Sequence, residues 1–249
     1  MYFIFDMDET IAQLYSVYHS LHYRDFINLK NKPYKKFVAA IVEQEISDTP
    51  LGILRPGILD IMTRLYKLQL SKKIKGVIIY SNNTYLESLE FIRDIIHTHI
   101  GTNQLIKECI HWDHYMRKEE KRNVHNKTWN VLRNIIAKGK YKDPNVHPKD
   151  VYFFDDLDHP DLKMNIVYYK VPPYTFKASF DRIAAIYKEA LHKVSDSEDL
   201  SEDISEDVSE KVYNKLPPLP DSGIDMMLDA IKKCQRKKTK TLKNKHKVV

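Results

Sequence analysis

The chain has 249 residues and a mass of 29.4 kDa, is 43% hydrophobic and 30% charged, and has a mean hydropathy of −0.50, enough for one domain-sized core with polar segments outside it. Six glycines leave little material for a glycine-rich phosphate loop, and two distant cysteines, Cys109 and Cys234, exclude a disulfide framework and suit a reducing compartment. Asp6, Asp8 and Glu9 interrupt the apolar N-terminus and no run approaches eighteen apolar residues, so the sequence reads as intracellular (cytoplasmic or nuclear), neither secreted nor membrane-spanning.

Met1 to Phe5 is a short apolar run of β-formers that ends abruptly at Asp6, the pattern of a buried parallel strand with acids at its carboxyl end. Residues 11–50 read as a mostly helical, polar insertion with an apolar cluster at Phe37–Val42. Arg55-Pro56-Gly57 punctuates the chain before a helical spacing at Ile58, Ile61, Met62, Leu65 and Tyr66. Gly76–Tyr80 is a second buried strand, running into Ser81-Asn82-Asn83, and a helix follows over 84–98. A weaker strand falls within 106–112, a charged loop within 113–126, and a helix over 127–137. Val151–Phe154 is a strong strand that ends in Asp155-Asp156; a strand over 165–171 and an amphipathic helix over 176–194 complete the series. Strands alternating with helices predict an α/β fold, a three-layer Rossmann-like arrangement around a mostly parallel sheet with a small insertion after the first strand. In such sheets ligands sit beyond the carboxyl ends of the strands, where three strands here end in Asp6, Ser81 and Asp155.

Beyond residue 194 the composition changes. Residues 195–223 hold an acidic Ser-Glu-Asp repeat and Leu216-Pro-Pro-Leu-Pro220, read as a disordered linker, although the repeat also has the spacing of a marginal helix. Ile224–Cys234 predicts one short amphipathic helix, and Lys232–Lys247 carries no acid at all. The net charge of +6 thus hides an acidic block followed by a basic tail, which could contact nucleic acid, serve as a nuclear address, fold back on the acidic block, or be a solvated end.

The strand ends carry the chemistry. Asp6 at a strand terminus can attack phosphorus; Asp8, two residues on, can protonate the leaving oxygen and then activate water, which together make a two-step covalent mechanism. Acids beside a phosphate need a cation, and Mg²⁺ held by Asp6, Asp8, Asp155 and Asp156 meets that need. Thr10, Ser81, Asn82 and Lys127 are the candidates for gripping the phosphate; Lys127 is chosen over Lys118, Lys121 and Lys138 because it opens a helix about 28 residues before Asp155. Singly, each group has an ordinary reading: a solvated acid pair, a turn, a surface lysine. Their order and strand contexts together favour a site. Asp158 and Asp161 read as caps or loop residues, or as extra metal-shell groups.

In that order, Asp6, Asp8, Thr10, Ser81, Lys127, Asp155 and Asp156 resemble the motif series of the haloacid-dehalogenase (HAD) superfamily. Phe5-Asp-Met-Asp-Glu-Thr-Ile11, Leu54-Arg-Pro-Gly-Ile-Leu59 and Ile79-Tyr80-Ser81 resemble, more narrowly, its RNA polymerase II carboxyl-terminal-domain phosphatase branch, over roughly residues 1–192. The resemblance implies a phosphatase domain over 1–194 with a Rossmann-like fold, Mg²⁺-dependent phosphomonoester hydrolysis and a phosphorylated protein as substrate. The branch commonly has Asp-Asn where this chain has Asp155-Asp156; Asp156 is the expected direct metal ligand, with Asp155 either behind it, supporting the ligand, or paired with Lys127. Competing readings are a phosphatase for nucleotides or nucleic-acid ends and a non-catalytic binding protein on the same scaffold.

Overall fold

The apolar runs fold as the five strands of one all-parallel sheet: β1 (Tyr2–Phe5), β2 (Gly76–Tyr80), β3 (Ile106–Ile110), β4 (Val151–Asp155) and β5 (Val167–Lys170), in the order β3-β2-β1-β4-β5. The structure is a computed structural model that describes residues 1–13, 32–48, 50–117, 126–176, 180–195 and 221–245. Its helices are α1 (Lys32–Glu45), α2 (Ile58–Leu70), α3 (Leu86–Ile100), α4 (Trp129–Lys138), α5 (Pro160–Asn165), α6 (Phe180–Ser195) and α7 (Ser222–Lys245).

Every residue of β1, β2 and β4 is buried, which is why these strands are apolar throughout rather than alternating. Their side chains still alternate in direction. Phe3, Phe5, Val77, Ile79, Tyr152 and Phe154 join a large core with residues of α1, α2, α3, α6 and α7; Tyr2, Ile4, Ile78, Tyr80, Val151 and Phe153 meet Val131, Leu132, Ile135 and Ile136 of α4 on the other face. Near-parallel ring pairs brace the sheet across strands: Phe3–Tyr152 at 5.0 Å, Phe5–Phe154 at 4.9 Å and Phe154–Tyr169 at 5.0 Å. Each such pair adds about 0.5–1.5 kcal/mol beyond the area it buries.

The three-layer α/β expectation is met; the differences lie at element ends. The helix read over 127–137 begins at Trp129 because Thr128 caps it, its Oγ1 accepting the Val131 N–H at 3.4 Å, so Lys127 precedes the helix instead of lying in its first turn. The strand read over 165–171 shortens to β5 because Pro160–Asn165 winds into α5. Of the insertion 11–50, residues 32–45 form α1, packed on α6 and α3, and residues 14–31 lie outside the described residues. The linker read over 195–223 falls mostly on residues 196–220, also outside them.

The largest difference is α7. It does not stop at Cys234 but runs to Lys245, and Met227, Ala230, Ile231 and Cys234 at helical spacing are buried in the large core. Arg55 anchors its start. This guanidinium is 2% exposed; Nη1 donates to Thr10 O at 2.8 Å, Nη2 donates to Pro172 O, and Nε faces Asp221 Oδ2 at 3.0 Å as an ion pair. Asp221 Oδ1 meanwhile accepts the Gly223 N–H at 2.8 Å, capping α7. Gly223 fits beneath Arg55 only because it lacks a β-carbon, which would come within 2.7 Å of Nη1.

Asp221→Ala removes the cap and leaves a buried cation without its counter-charge, with an expected cost of about 3 kcal/mol; Asp221→Asn, which keeps the cap, should fall between it and the native chain in urea midpoint. Glu45 supplies a pH signature. Burial pushes its carboxyl up to about 7, against the Ile53, Leu54 and Gly52 N–H groups that favour the ionised form. The folded state therefore holds a proton that the unfolded chain releases near pH 4.3, and stability falls as pH rises from there toward 7. Replacing it by Gln removes that slope: thermal melts should show Glu45→Gln gaining on the native chain by about 2 kcal/mol between pH 5 and 7, then running parallel.

Candidate functional site

β1 is the strand at which the sheet reverses its order: the chain steps from β1 outward to β2 and β3, then returns to β4 and β5 on the other side. The crevice beyond the carboxyl ends of β1 and β4 is therefore the switch point of the sheet. Asp6 follows β1 directly, its N–H bonded to Phe154 O at 2.9 Å, and Asp155 closes β4. One carboxylate oxygen each of Asp6, Asp155 and Asp156 lies within 4.8 Å of the others.

Lys127, 1% exposed, sits between two of them. Its Nζ donates to Asp6 Oδ1 and, at 2.7 Å, to Asp155 Oδ2. Burial pulls the ammonium pKa down, but the Asp155 and Asp6 charges outweigh it and hold the group above its ordinary value. Burial likewise pushes Asp155 up, and Lys127 with His159 more than offsets this, so Asp155 ends below the usual carboxylate range. For Asp6 burial dominates: its pKa lies well above ordinary, with Asp155 and Asp8 adding to the rise against Lys127. Asp156 is raised by burial and by Asp155.

The other predicted residues are placed as follows. Thr10 is fully buried and braces Asp156: its Oγ1 donates to Asp156 Oδ1 and accepts the Asp156 N–H, both at 3.1 Å. Asp8 stands outside the carboxylate trio, so the four-acid ligand set narrows to three; its Oδ2 accepts from Asn83 Nδ2 at 3.1 Å and Ser81 Oγ at 3.5 Å. Burial raises the Asp8 carboxyl against these bonds and Lys127. Asn82 accepts, through Oδ1, a 2.6 Å bond from Arg117. Asp161 Oδ2 accepts the Trp129 N–H at 2.5 Å at the start of α4, and Asp158 pairs with Lys170 at 2.9 Å; neither joins the trio. Lys118 and Lys121 lie outside the described residues, and Lys138 ends α4.

Four supporting residues escaped the sequence reading as members of the site. Asn83 orients Asp8. Arg117, fully buried, donates to Ser81 O at 2.6 Å and lies over the Tyr80 and Trp112 rings, 4.6 and 5.1 Å from their centres. His159 accepts the Lys127 N–H at Nδ1 (3.3 Å) and presents Nε2 to Asp155 Oδ2 at 3.2 Å, so one ring positions both partners of that ion pair. Arg55 holds the loop after β1 through Thr10 O. In that loop Glu9 has φ 57, a left-handed conformation uncommon outside glycine, fixed by bonds from its N–H to Ala12 O (2.8 Å) and from the Tyr174 N–H to its carbonyl (2.6 Å).

Two carboxylates, Asp6 and Asp155, thus meet a single buried ammonium, and Asp156 joins them in one cluster. Such a set of hard oxygen donors fits a hard divalent cation such as Mg²⁺, with Asp6, Asp155 and Asp156 as the residues to hold it. Comparisons with protein-family models, curated proteins and solved structures find no match to the chain.

Lys127→Met strands Asp6 and Asp155 in the interior without their counter-charge. An expected cost of about 3–5 kcal/mol should appear in the urea midpoint at neutral pH, and Mg²⁺ should restore part of it.

Proposed function

We propose that the chain is a Mg²⁺-dependent phosphomonoester hydrolase that works through a phospho-aspartate on Asp6. The convergence of Asp6, Asp155 and Asp156 around one point, with Lys127 bridging the first two, is the observation that carries the reading. The motif resemblance to HAD phosphatases adds to it. Bound Mg²⁺ would supply positive charge to neutralise the phosphoryl oxygens.

The residues divide the work. An Asp6 carboxylate oxygen forms a bond to phosphorus while the bond from phosphorus to the leaving oxygen breaks. Asp8 gives that oxygen its proton, a role suited to a carboxyl whose pKa burial has raised. In the second step Asp8 takes a proton from water as the water oxygen attacks phosphorus, and the Asp6–phosphorus bond breaks to release phosphate. Lys127 and the Ser81 hydroxyl offer donors where charge builds on the transferring group. His159 and Thr10 keep Asp155 and Asp156 oriented, and Asn83 does the same for Asp8.

A phosphorylated protein is the substrate class we favour. Tyr85, Tyr115 and Leu157 expose large apolar surface (44%, 65% and 53%) within a few residues of Asn83, Arg117 and Asp156. That surface offers contacts for side chains flanking a phosphoserine or phosphothreonine. The intact reacting groups count against a purely non-catalytic scaffold.

With an aryl phosphate and Mg²⁺ the native chain should release phosphate, Asp6→Asn should not, and Asp8→Asn should turn over about 100-fold more slowly or worse. Phosphoserine peptides should be better substrates than 3′- or 5′-phosphorylated oligonucleotides. A native chain inert toward every phosphate ester would sink the reading.

A further inference from the structure

The direction of α7 separates the basic segment from the candidate site. Asp221, at its start, pairs with Arg55, which also bonds Thr10 O beside the crevice. Thirteen residues later Cys234 Sγ is 3.6 Å from Met1 Sδ, at the amino end of β1, where the Lys75 N–H also bonds Met1 O. The helix therefore runs antiparallel to the strands, from the catalytic end of the sheet to the opposite end. Residues 235–245 continue it past Met1 by roughly 16 Å at 1.5 Å per residue.

That continuation is basic. After Asp229 the chain contains no Asp or Glu, and eight of the residues 232–245 are Lys or Arg. In the sequence Lys232, Arg236, Lys240 and Lys243 recur at three- and four-residue spacing, out of phase with Met227, Ala230, Ile231 and Cys234 of the buried face. Lys232 and Arg236 are exposed; Lys233 is already paired with Asp229 at 2.6 Å. Like charges three and four residues apart repel within a helix, so this arm gains order from a regularly spaced polyanion.

We propose that the distal half of α7 is a docking arm for the phosphate backbone of duplex nucleic acid, placed at the end of the molecule away from the candidate active site. Three observations favour this occupant. A helix about 10–12 Å across matches a major groove about 12 Å wide. The arm has no Phe, Tyr or Trp after residue 229 on which to stack the bases of a single strand. It also has no large apolar stripe opposite the charges with which to enter a membrane surface. Binding there is independent of sequence and holds the chain near a duplex without presenting a nucleic-acid end to Asp6. The proposal does not depend on the phosphatase reading.

The test uses the full chain and a fluorescein-labelled 24-base-pair DNA duplex, followed by polarisation across a salt series. Binding should weaken steeply with salt, and the quadruple change of Lys232, Arg236, Lys240 and Lys243 to Gln should flatten the log–log slope by about 3–4 and weaken affinity at least 30-fold near 0.1 M salt. Thermal midpoint and aryl-phosphate turnover should stay native; if the quadruple variant does not fold, Arg236→Gln alone should flatten the slope by about 1. The proposal is overturned by no duplex binding, by an unchanged slope in the folded variant, or by tighter binding to oligo-dT, to phosphatidylserine vesicles, or to a peptide of residues 197–210.

Discussion

A single buried ammonium governs the carboxyl end of the sheet. Lys127 lies between Asp6 and Asp155 with almost no access to water, and each of the three would be costly to bury alone. Its mutual attraction with the two acids holds the carboxyl ends of β1 and β4 at a spacing that a divalent cation can also share. The packing of the sheet sets this up: Phe5 pairs in register with Phe154, so the residues that follow them emerge side by side. Burial of charge here serves geometry more than stability, because replacing all members of a buried ion cluster together by well-packed apolar residues is often neutral, whereas removing one member alone is costly.

The acids around Lys127 are not equivalent. Asp155 is gripped on two sides and stays ionised; Asp6 has only Lys127 and remains the least comfortable charge in the site. Asp8 is turned toward amide and hydroxyl donors and its proton is held more tightly than usual. Under the proposed two-step phosphoryl transfer, Asp6 would gain from a neighbouring cation, and the upward shift that burial gives Asp8 would suit a proton donor.

Much of this was legible in the sequence because apolar strands ending in acids are a local pattern. Asp6, Ser81 and Asp155 could be placed at strand ends without coordinates, and the parallel sheet follows from the alternation of strand and helix. Thr10 was found but its bonds were not: sequence shows a hydroxyl beside the acids, and only the fold shows it bonded to Asp156. Arg117 and His159 were missed because their roles arise from long-range packing; neither lies at a distinctive spacing. The reach of α7 was missed for a different reason. Its apolar positions end at Cys234, and periodicity cannot register that a charged helix continues once its first half has been pinned by Arg55 and Asp221.

The Arg55 joint makes α7 a ligand carried by its own receptor. Residues 196–220 link it covalently to α6, so its meeting with the groove is an intramolecular event. Even a weak intrinsic affinity of the helix for its groove then keeps it docked most of the time. A single cut in that link would make occupancy of the groove a bimolecular equilibrium. Because the same guanidinium holds the backbone of Thr10, the brace on Asp156 would loosen in the fraction of molecules that had lost the helix.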